Sequence, residues 1–275
     1  TWGRTDADRG VDWLSQRRIP VRGHNLVWPN WDNMPPDAQT LASGALRTRI
    51  DGHFDSILSI YRSRIFEWDV VNEPFSSFDV MGRIGGVPGV PASNGTLGNA
   101  EIVRWFQRAR ASEPGLKLAL NDYNLLEGVD DTHRAYTLAL LDWMRAQGAP
   151  VDTLGLQGHF GLVPIPQLQA RIAQFAALPV RLAITEYDLP TLDDQLQADY
   201  LRDVLTLVFA EPKFDQFIMW GFWEGAHWMP EAAMYRRDWS IKPAATVWSN
   251  LTRQQWWTDA SGKTGTDGTF VTRAY

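Results

Sequence analysis

Ile65-Phe66-Glu67-Trp68-Asp69-Val70-Val71-Asn72-Glu73-Pro74 decides how the rest of the chain is read. Trp68, Val70 and Val71 suit a buried β-strand and Pro74 cannot extend the ladder, so the stretch reads as a strand that runs out into an acid. In a parallel sheet or barrel the C-terminal ends of the strands line the cleft, and Glu73 is expected to project there rather than into a core. An acid at a strand's end also fits a solvated turn, so the neighbouring elements carry the decision.

Upstream, Asp6 to Arg17 places Ala7, Val11 and Leu14 at helical spacing and stops at Ile19-Pro20. Val21 to Trp28 reads as a strand closed by Pro29, and a loop through Asn30–Pro36 leads to a helix near Leu41–Arg62. Downstream, helices are expected at Asn99–Ser112, Asp130–Gln147, Ile165–Ala177 and Gln195–Ala210, with strands at Lys117–Asn121, Thr153–His159, Val180–Thr185 and Phe217–Trp223. Strands alternating with such helices predict parallel strands joined by right-handed crossovers. The expected fold is therefore α/β, a (β/α)8 TIM barrel. Only six strands can be counted where a closed barrel needs eight. The expectation is thus a barrel lacking about two N-terminal strands, with residues 1–252 as the barrel and 253–275 as a C-terminal extension. Pro243–Leu251 reads as a helix, Ser261–Tyr275 as a Gly/Thr-rich hairpin, and the Gly/Pro-rich run Met81–Gly98 as functional or mobile.

Composition narrows the partners. The chain has 275 residues, a net charge of −6, no cysteine and 14 tryptophans. The acidic balance argues against nucleic acid or an anionic membrane, and no apolar window is long enough to span a bilayer. Without cysteine there is no disulfide, thiol nucleophile or thiolate metal site. Excess Trp either fills a core or offers flat faces with a polar edge of the kind sugar rings select. Thr1-Trp2-Gly3-Arg4 carries no signal pattern, which fits a removed leader or a fragment. No His/Asp/Glu cluster has metal-ligand spacing, so neither metal nor cofactor is expected.

Five of the six strands end in polar groups: His24 and Asn25, Asn72 and Glu73, Asn121 and Asp122, Gln157 and His159, Glu186 and Asp188. Converging on one barrel face, they would build a polar cleft with two carboxylates, Glu73 and Glu186. Two facing acids are what glycoside hydrolysis needs, one to protonate the leaving oxygen and one to attack or to activate water. Gln157 and His159 also fit a core network, and Trp28, Trp223 and Trp228 also fit packing. Trp13, Trp105 and Trp143 fall in expected helices and are assigned to packing. His53 and His133 are read as surface or structural.

Arg22-Gly23-His24-Asn25-Leu26-Val27-Trp28, Trp68 to Pro74, Gly155-Leu156-Gln157-Gly158-His159 and Ile184-Thr185-Glu186-Tyr187-Asp188 together resemble glycoside hydrolase family 10, the retaining endo-β-1,4-xylanases. The order and spacing match along the whole chain, and Trp220 to Trp228 with Gln255-Trp256-Trp257-Thr258 resembles one branch of that family. The resemblance implies Glu73 as general acid/base and Glu186 as nucleophile, with Asn72 bonding the 2-hydroxyl of the cleaved sugar. It implies His159 on Glu186, held in turn by Asp188, with Gln157 lining the pocket. His24 and Trp28 would hold sugars on the non-reducing side, Trp223 and Trp228 would contact substrate, and Tyr123 and Asn124 would face the leaving group. It further implies a secreted enzyme, extracellular or periplasmic, acting as a monomer on xylan or xylo-oligosaccharides. The chain departs from the family where no Glu-Asn-x-x-Lys stretch occurs and where Pro29 follows Trp28 in place of His. The alternatives are a retaining β-glycanase acting on cellulose or mannan, and a non-catalytic carbohydrate-binding barrel.

Overall fold

The computed structural model describes residues 3–85 and 98–273. Most of the Gly/Pro-rich run, residues 86–97, lies outside the described residues. Helix α1 (Thr5–Gln16) precedes β1 (Arg22–Gly23), and α2 (Ser43–Ile60) leads to β2 (Glu67–Asn72). Then come α3 (Asp79–Gly85), α4 (Ala100–Ser112), β3 (Lys117–Asp122), α5 (Asp131–Ala146), β4 (Thr153–Leu156) and α6 (Ile165–Ala176). The chain continues with β5 (Arg181–Tyr187), α7 (Asp194–Ala210), β6 (Phe214–Met219) and α8 (Pro243–Asn250). The helices start where side chains can accept the free N–H groups of the first turn. Asn99 caps α4, Asp130 caps α5, and Asp193 takes two N–H groups of α7.

Among the described residues six strands form one parallel sheet in chain order, β1 to β6. The sheet is curled. Gln216 of β6 donates to Glu67 of β2 at 2.9 Å, and Lys117 of β3 reaches Asp215 of β6 at 3.4 Å, contacts a flat sheet would forbid. The expected parallel α/β architecture is met, with six strands and with β1 and β6 as its edges. Along the outer face Leu118, Leu120, Leu154, Leu156, Leu182 and Ile184 are fully buried beneath the helices, which contribute Leu46, Phe54, Trp105, Phe106, Leu168 and Phe175. The inner face is polar: Glu67 receives Arg22 at 2.8 Å and Thr153 at 2.7 Å as well as Gln216. Such a charged centre stays folded only because its carboxylates are hydrogen-bonded on several sides.

β2 does not alternate simply. Glu67 and Asp69 pair with Lys117 and Ala119 of β3, then Val70 is skipped and Asn72 pairs with Asn121. This one-residue bulge returns Asn72 to the face that Glu67 and Asp69 share, three positions on instead of two.

Several expectations need correction. β1 is far shorter than Val21–Trp28; after Gly23 the chain leaves the ladder and returns to β2 through Leu26 N–H, which donates to Asp69 O at 2.8 Å, and the Val27–Val71 bridge. β6 runs three or four residues earlier than Phe217–Trp223. Among the described residues the tail forms no hairpin: residues 258–273 are exposed, and a tight turn closes there, Gly265 N–H donating to Thr269 O at 2.8 Å. Two short strands with no third to join and no face to bury are marginal in water. Trp13 is 52% exposed, because α1 buries only Val11; the Arg17 guanidinium lies 3.8 Å over its ring. Trp105 is fully buried and Trp143 packs against the core.

Candidate active site

The C-terminal ends of β2, β3, β4 and β5 bring Asn72 and Glu73, Asn121, Gln157 and Glu186 to one place. Glu73 leaves β2 with φ of 52°, its N–H held by Asn121 O at 2.8 Å. A left-handed glutamate is costly, and this tie to the next strand maintains it. Gln157 Nε2 donates to Glu73 Oε1 at 3.0 Å. Asn121 Nδ2 donates to Glu186 Oε1 at 2.8 Å and to Asn72 Oδ1 at 2.9 Å, while its own Oδ1 accepts from Thr185 at 2.7 Å.

This network fixes the amide orientations. An ionised Glu186 can only accept, so Asn121 must present its NH2, whose second N–H requires the oxygen of Asn72. The Nδ2 of Asn72 is consequently turned away, buried and without a partner among the described residues. A buried donor left over in a cleft is a ligand-binding group in waiting.

Asn121 can cross the sheet interior because residue 155 is glycine. A Cβ there would stand 2.2 Å from Asn121 Oδ1 and 3.0 Å from Thr185 Cγ2.

The two acids have different surroundings. Burial raises the Glu73 pKa; the Gln157 hydrogen bond lowers it, and the charges of Asp122 and Glu186 raise it further. Glu186 is 4% exposed and faces His159 Nε2 at 3.2 Å in addition to Asn121. His159 Nδ1 stands 3.0 Å from Asp188, which also accepts from Trp228 Nε1 at 2.7 Å. Burial alone would lower the His159 pKa, yet the Asp188 and Glu186 carboxylates outweigh it and push the value up to about 10. His159 is therefore a cation at neutral pH, set between two acids. On the other side, His24 Nδ1 stands 3.0 Å from Asp69, and Arg22 grips Asp69 through both guanidinium nitrogens. Burial disfavours the His24 cation, but Asp69 and Glu186 raise its pKa overall.

A cleft of about 420 Å³ runs over this cluster, with Glu73, Gln157, His159 and Glu186 on its floor. Trp28, Trp228, Tyr123 and Asn124 line it, as does Trp220. His24 meets Trp220 edge-on, with ring centroids 5.5 Å apart. A larger cavity of about 580 Å³ opens between the β1 and β6 edges and reaches Arg22, Glu186 and Gln216. Of the residues singled out from sequence, Asn72 and Asp188 lie buried behind the cleft wall, His24 lines the neighbouring cavity, and Trp223 stands apart. It stacks on Trp239, centroids 5.1 Å apart, and donates to Arg237 O at 3.3 Å. His133 is buried as a structural residue beneath Tyr123.

Sequence reasoning gave no site role to Trp220, Asp69 and Arg22, and took Asn121 as a polar strand end without its place at the centre of the network. Trp220 follows the true end of β6, and a correctly placed strand end would have identified it. Asp69 and Arg22 carried the signal of acid and base within apolar strands. No group of three or more His, Asp or Glu able to hold a metal occurs among the described residues, and no described helix is long and apolar enough to cross a membrane. With one acid favouring its proton and another held by cationic and amide donors, the cleft is suited to acid-assisted nucleophilic substitution.

Comparison with known proteins agrees with the resemblance read from the motifs. Residues 1–251 match the sequence profile of glycosyl hydrolase family 10. The anti-sigma-I factor RsgI6 of Acetivibrio thermocellus is 30% identical over 98% of this chain and 33% of its own length. Endo-1,4-beta-xylanase C of Phanerodontia chrysosporium is 30% identical over 83% of the chain and 60% of its own. The chain thus spans less than two thirds of either relative. Xylanase 10B of Thermotoga petrophila, solved with xylobiose, superposes with a TM-score of 0.77 at 22% identity, covering 93% of this chain and 80% of that one.

Proposed function

Because the chain belongs to glycosyl hydrolase family 10, we propose that it cleaves internal β-1,4-xylosidic bonds of xylan with retention, Glu186 being the nucleophile and Glu73 the acid/base. The observation that carries this reading is the contrast between the two acids in one cleft. Glu73 is half-buried beside the acids Asp122 and Glu186, which with burial raise its pKa and favour its protonated form; Glu186 receives an amide N–H from Asn121 and faces the cationic imidazole of His159, the surroundings of an attacking carboxylate.

In the first step Glu186 attacks the anomeric carbon as Glu73 protonates the departing glycosidic oxygen, leaving a glycosyl ester on Glu186. In the second, Glu73, now a carboxylate, takes a proton from water, which attacks the same carbon and releases Glu186. Asn72 bonds the 2-hydroxyl through Nδ2, a contact that strengthens as positive charge develops on the ring; the lack of any other partner for that nitrogen among the described residues supports the role. His159, held by Asp188, orients Glu186 and offsets its charge. Trp28 and His24 hold sugars on the non-reducing side, Trp228 and Trp220 offer flat faces to a ring, and Tyr123 and Asn124 meet the leaving group. Support for xylan comes from the xylanase relatives and from the xylobiose held by the Thermotoga petrophila enzyme. A polymer too large to cross a membrane requires an enzyme acting outside the cell or in the periplasm.

The test is xylan hydrolysis by Glu186→Ala and Glu73→Ala, with product anomer followed by NMR. Glu186→Ala is expected to lose activity by a factor of about 10⁴ or more while keeping its fold. Undiminished activity, or initial release of the α-anomer, would refute the assignment. A second reading is favoured by one relative being named an anti-sigma factor and not a xylanase: a barrel that binds carbohydrate without cleaving it. Xylan binding without release of reducing sugar by the wild-type protein would establish it.

A further inference from the structure

Asp122 ends β3 fully buried, and the steps above leave it unused. Its Oδ1 accepts the N–H of Tyr123 at 3.0 Å, and the N–H of Phe75 is directed at the same carboxylate. His133 Nε2, from α5, stands 3.1 Å from Oδ2. The Phe75 ring lies flat on the His133 imidazole, centroids 3.9 Å apart and planes 19° apart, and Tyr123 meets that imidazole edge-on at 4.8 Å. Two cleft segments, the Glu73-Pro74-Phe75 turn and the Tyr123-Asn124 loop, are therefore fastened to a single buried carboxylate. Burial raises the Asp122 pKa, and His133 together with the N–H groups of Tyr123 and Phe75 opposes that rise by favouring the carboxylate.

The groups facing Glu73 are Gln157 beyond β4, Trp28 beyond β1, Glu186 of β5 and Asp122 of β3. Only two of them carry negative charge, and they differ in one respect. The charge of Glu186 disappears when it becomes an ester, whereas Asp122 takes no part in bond making and keeps the same His133 and Tyr123 neighbours throughout.

We propose that Asp122 is a positioning residue for Glu73: it clamps the turn that carries Glu73 and supplies a negative neighbour that persists through the covalent intermediate, keeping Glu73 basic enough to activate water. This rests on Glu73 as acid/base and Glu186 as nucleophile. His133, pressed between Phe75 and Asp122, holds the clamp from behind. The raised pKa of Glu73 agrees with an anion at this place.

The test uses Asp122→Asn, which keeps the shape and an acceptor for the backbone but removes the charge. With a dinitrophenyl β-xylobioside the first step needs no proton and the second limits turnover. There kcat is expected to fall about tenfold or more, with KM falling alongside as the intermediate accumulates. On xylan the alkaline limb of kcat/KM, which reports loss of the Glu73 proton, is expected to move down by about half a pH unit or more. A loss uniform across pH, with the limb in place and KM on the aryl substrate unmoved, overturns the proposal. Glu73→Ala measured alongside separates the two levels. If that variant keeps wild-type activity, the underlying reading has failed; if it is inactive and Asp122→Asn titrates as wild type, only the proposal has. Should circular dichroism show Asp122→Asn unfolded, His133→Lys sets a fixed cation beside Asp122, leaves both backbone contacts, and carries the same expectations and the same refutation.

Discussion

Replacing His159 by glutamine tests the electrostatics of the cleft floor through stability, independently of catalysis. In the folded chain the imidazole lies 3.2 Å from Glu186 and 3.0 Å from Asp188, and its pKa is raised from 6.5 to about 10. A folded value above the unfolded one means that proton binding favours the native state. The resulting stability is fully present below pH 6.5 and is lost as pH rises through about 10. Fully realised, the rise corresponds to about 5 kcal/mol, a tenfold change in the folding equilibrium per pH unit. The side chain is 22% exposed, so solvent and salt screen part of it, and about 2–3 kcal/mol is the working figure. Urea unfolding of wild type and His159→Gln at pH 6 and pH 10.5 isolates this contribution, since other titrating groups cancel in the difference. The wild type is expected to exceed the variant by about 2–3 kcal/mol more at pH 6 than at pH 10.5. An equal difference at both pH values would refute the cation between two acids.

Gly155→Ala places a methyl group 2.2 Å from Asn121 Oδ1, so Asn121 must move. Unfolding free energy is expected to drop by about 2–4 kcal/mol, with a disproportionate loss of kcat as Asn72 and Glu186 lose their shared donor. Trp220 and Trp223 separate by role. Trp220→Ala is expected to raise KM on xylan about tenfold with little change in Tm, while Trp223→Ala, which breaks the stack on Trp239, lowers Tm and leaves KM near wild type; the reverse pattern would restore Trp223 to the cleft.

Much of the sheet and most of the cleft were legible because the code is local. An apolar run ending in a polar pair marks a parallel strand whose tip faces substrate, and β2 to β5 all carry that mark, which is why Glu73, Gln157, His159 and Glu186 were found where they stand. β1 misled because His24 and Asn25 sit amid residues suited to a strand, and backbone departure from a ladder leaves no trace in composition. β6 misled by three or four positions because Phe217 to Trp223 is continuously apolar or aromatic, and that displacement exchanged Trp223 for Trp220. Asn121 was seen as a strand end but not as the hub, since its role depends on Gly155 across the strand gap, a relation of space and not of sequence. Trp13 shows the limit of periodicity: a helix can carry an aromatic residue that meets no core, its ring covered by Arg17 of the same helix.

The skipped Val70 in β2 has a consequence for how the cleft can change. Between Asp69, which anchors His24, and Asn72 and Glu73 at the strand's end, the chain keeps count and not merely composition. Val70 and Val71 are chemically interchangeable, and what matters is the extra step they provide: drawn out as plain alternation with no residue removed, the strand would turn Asn72 to the helices. Removing one valine removes the extra step, leaving Asn72 two positions from Asp69, on the same face and still opposite Asn121. A single codon deletion here therefore straightens the strand and keeps its facing, and what it takes away is the local twist that the bulge gives.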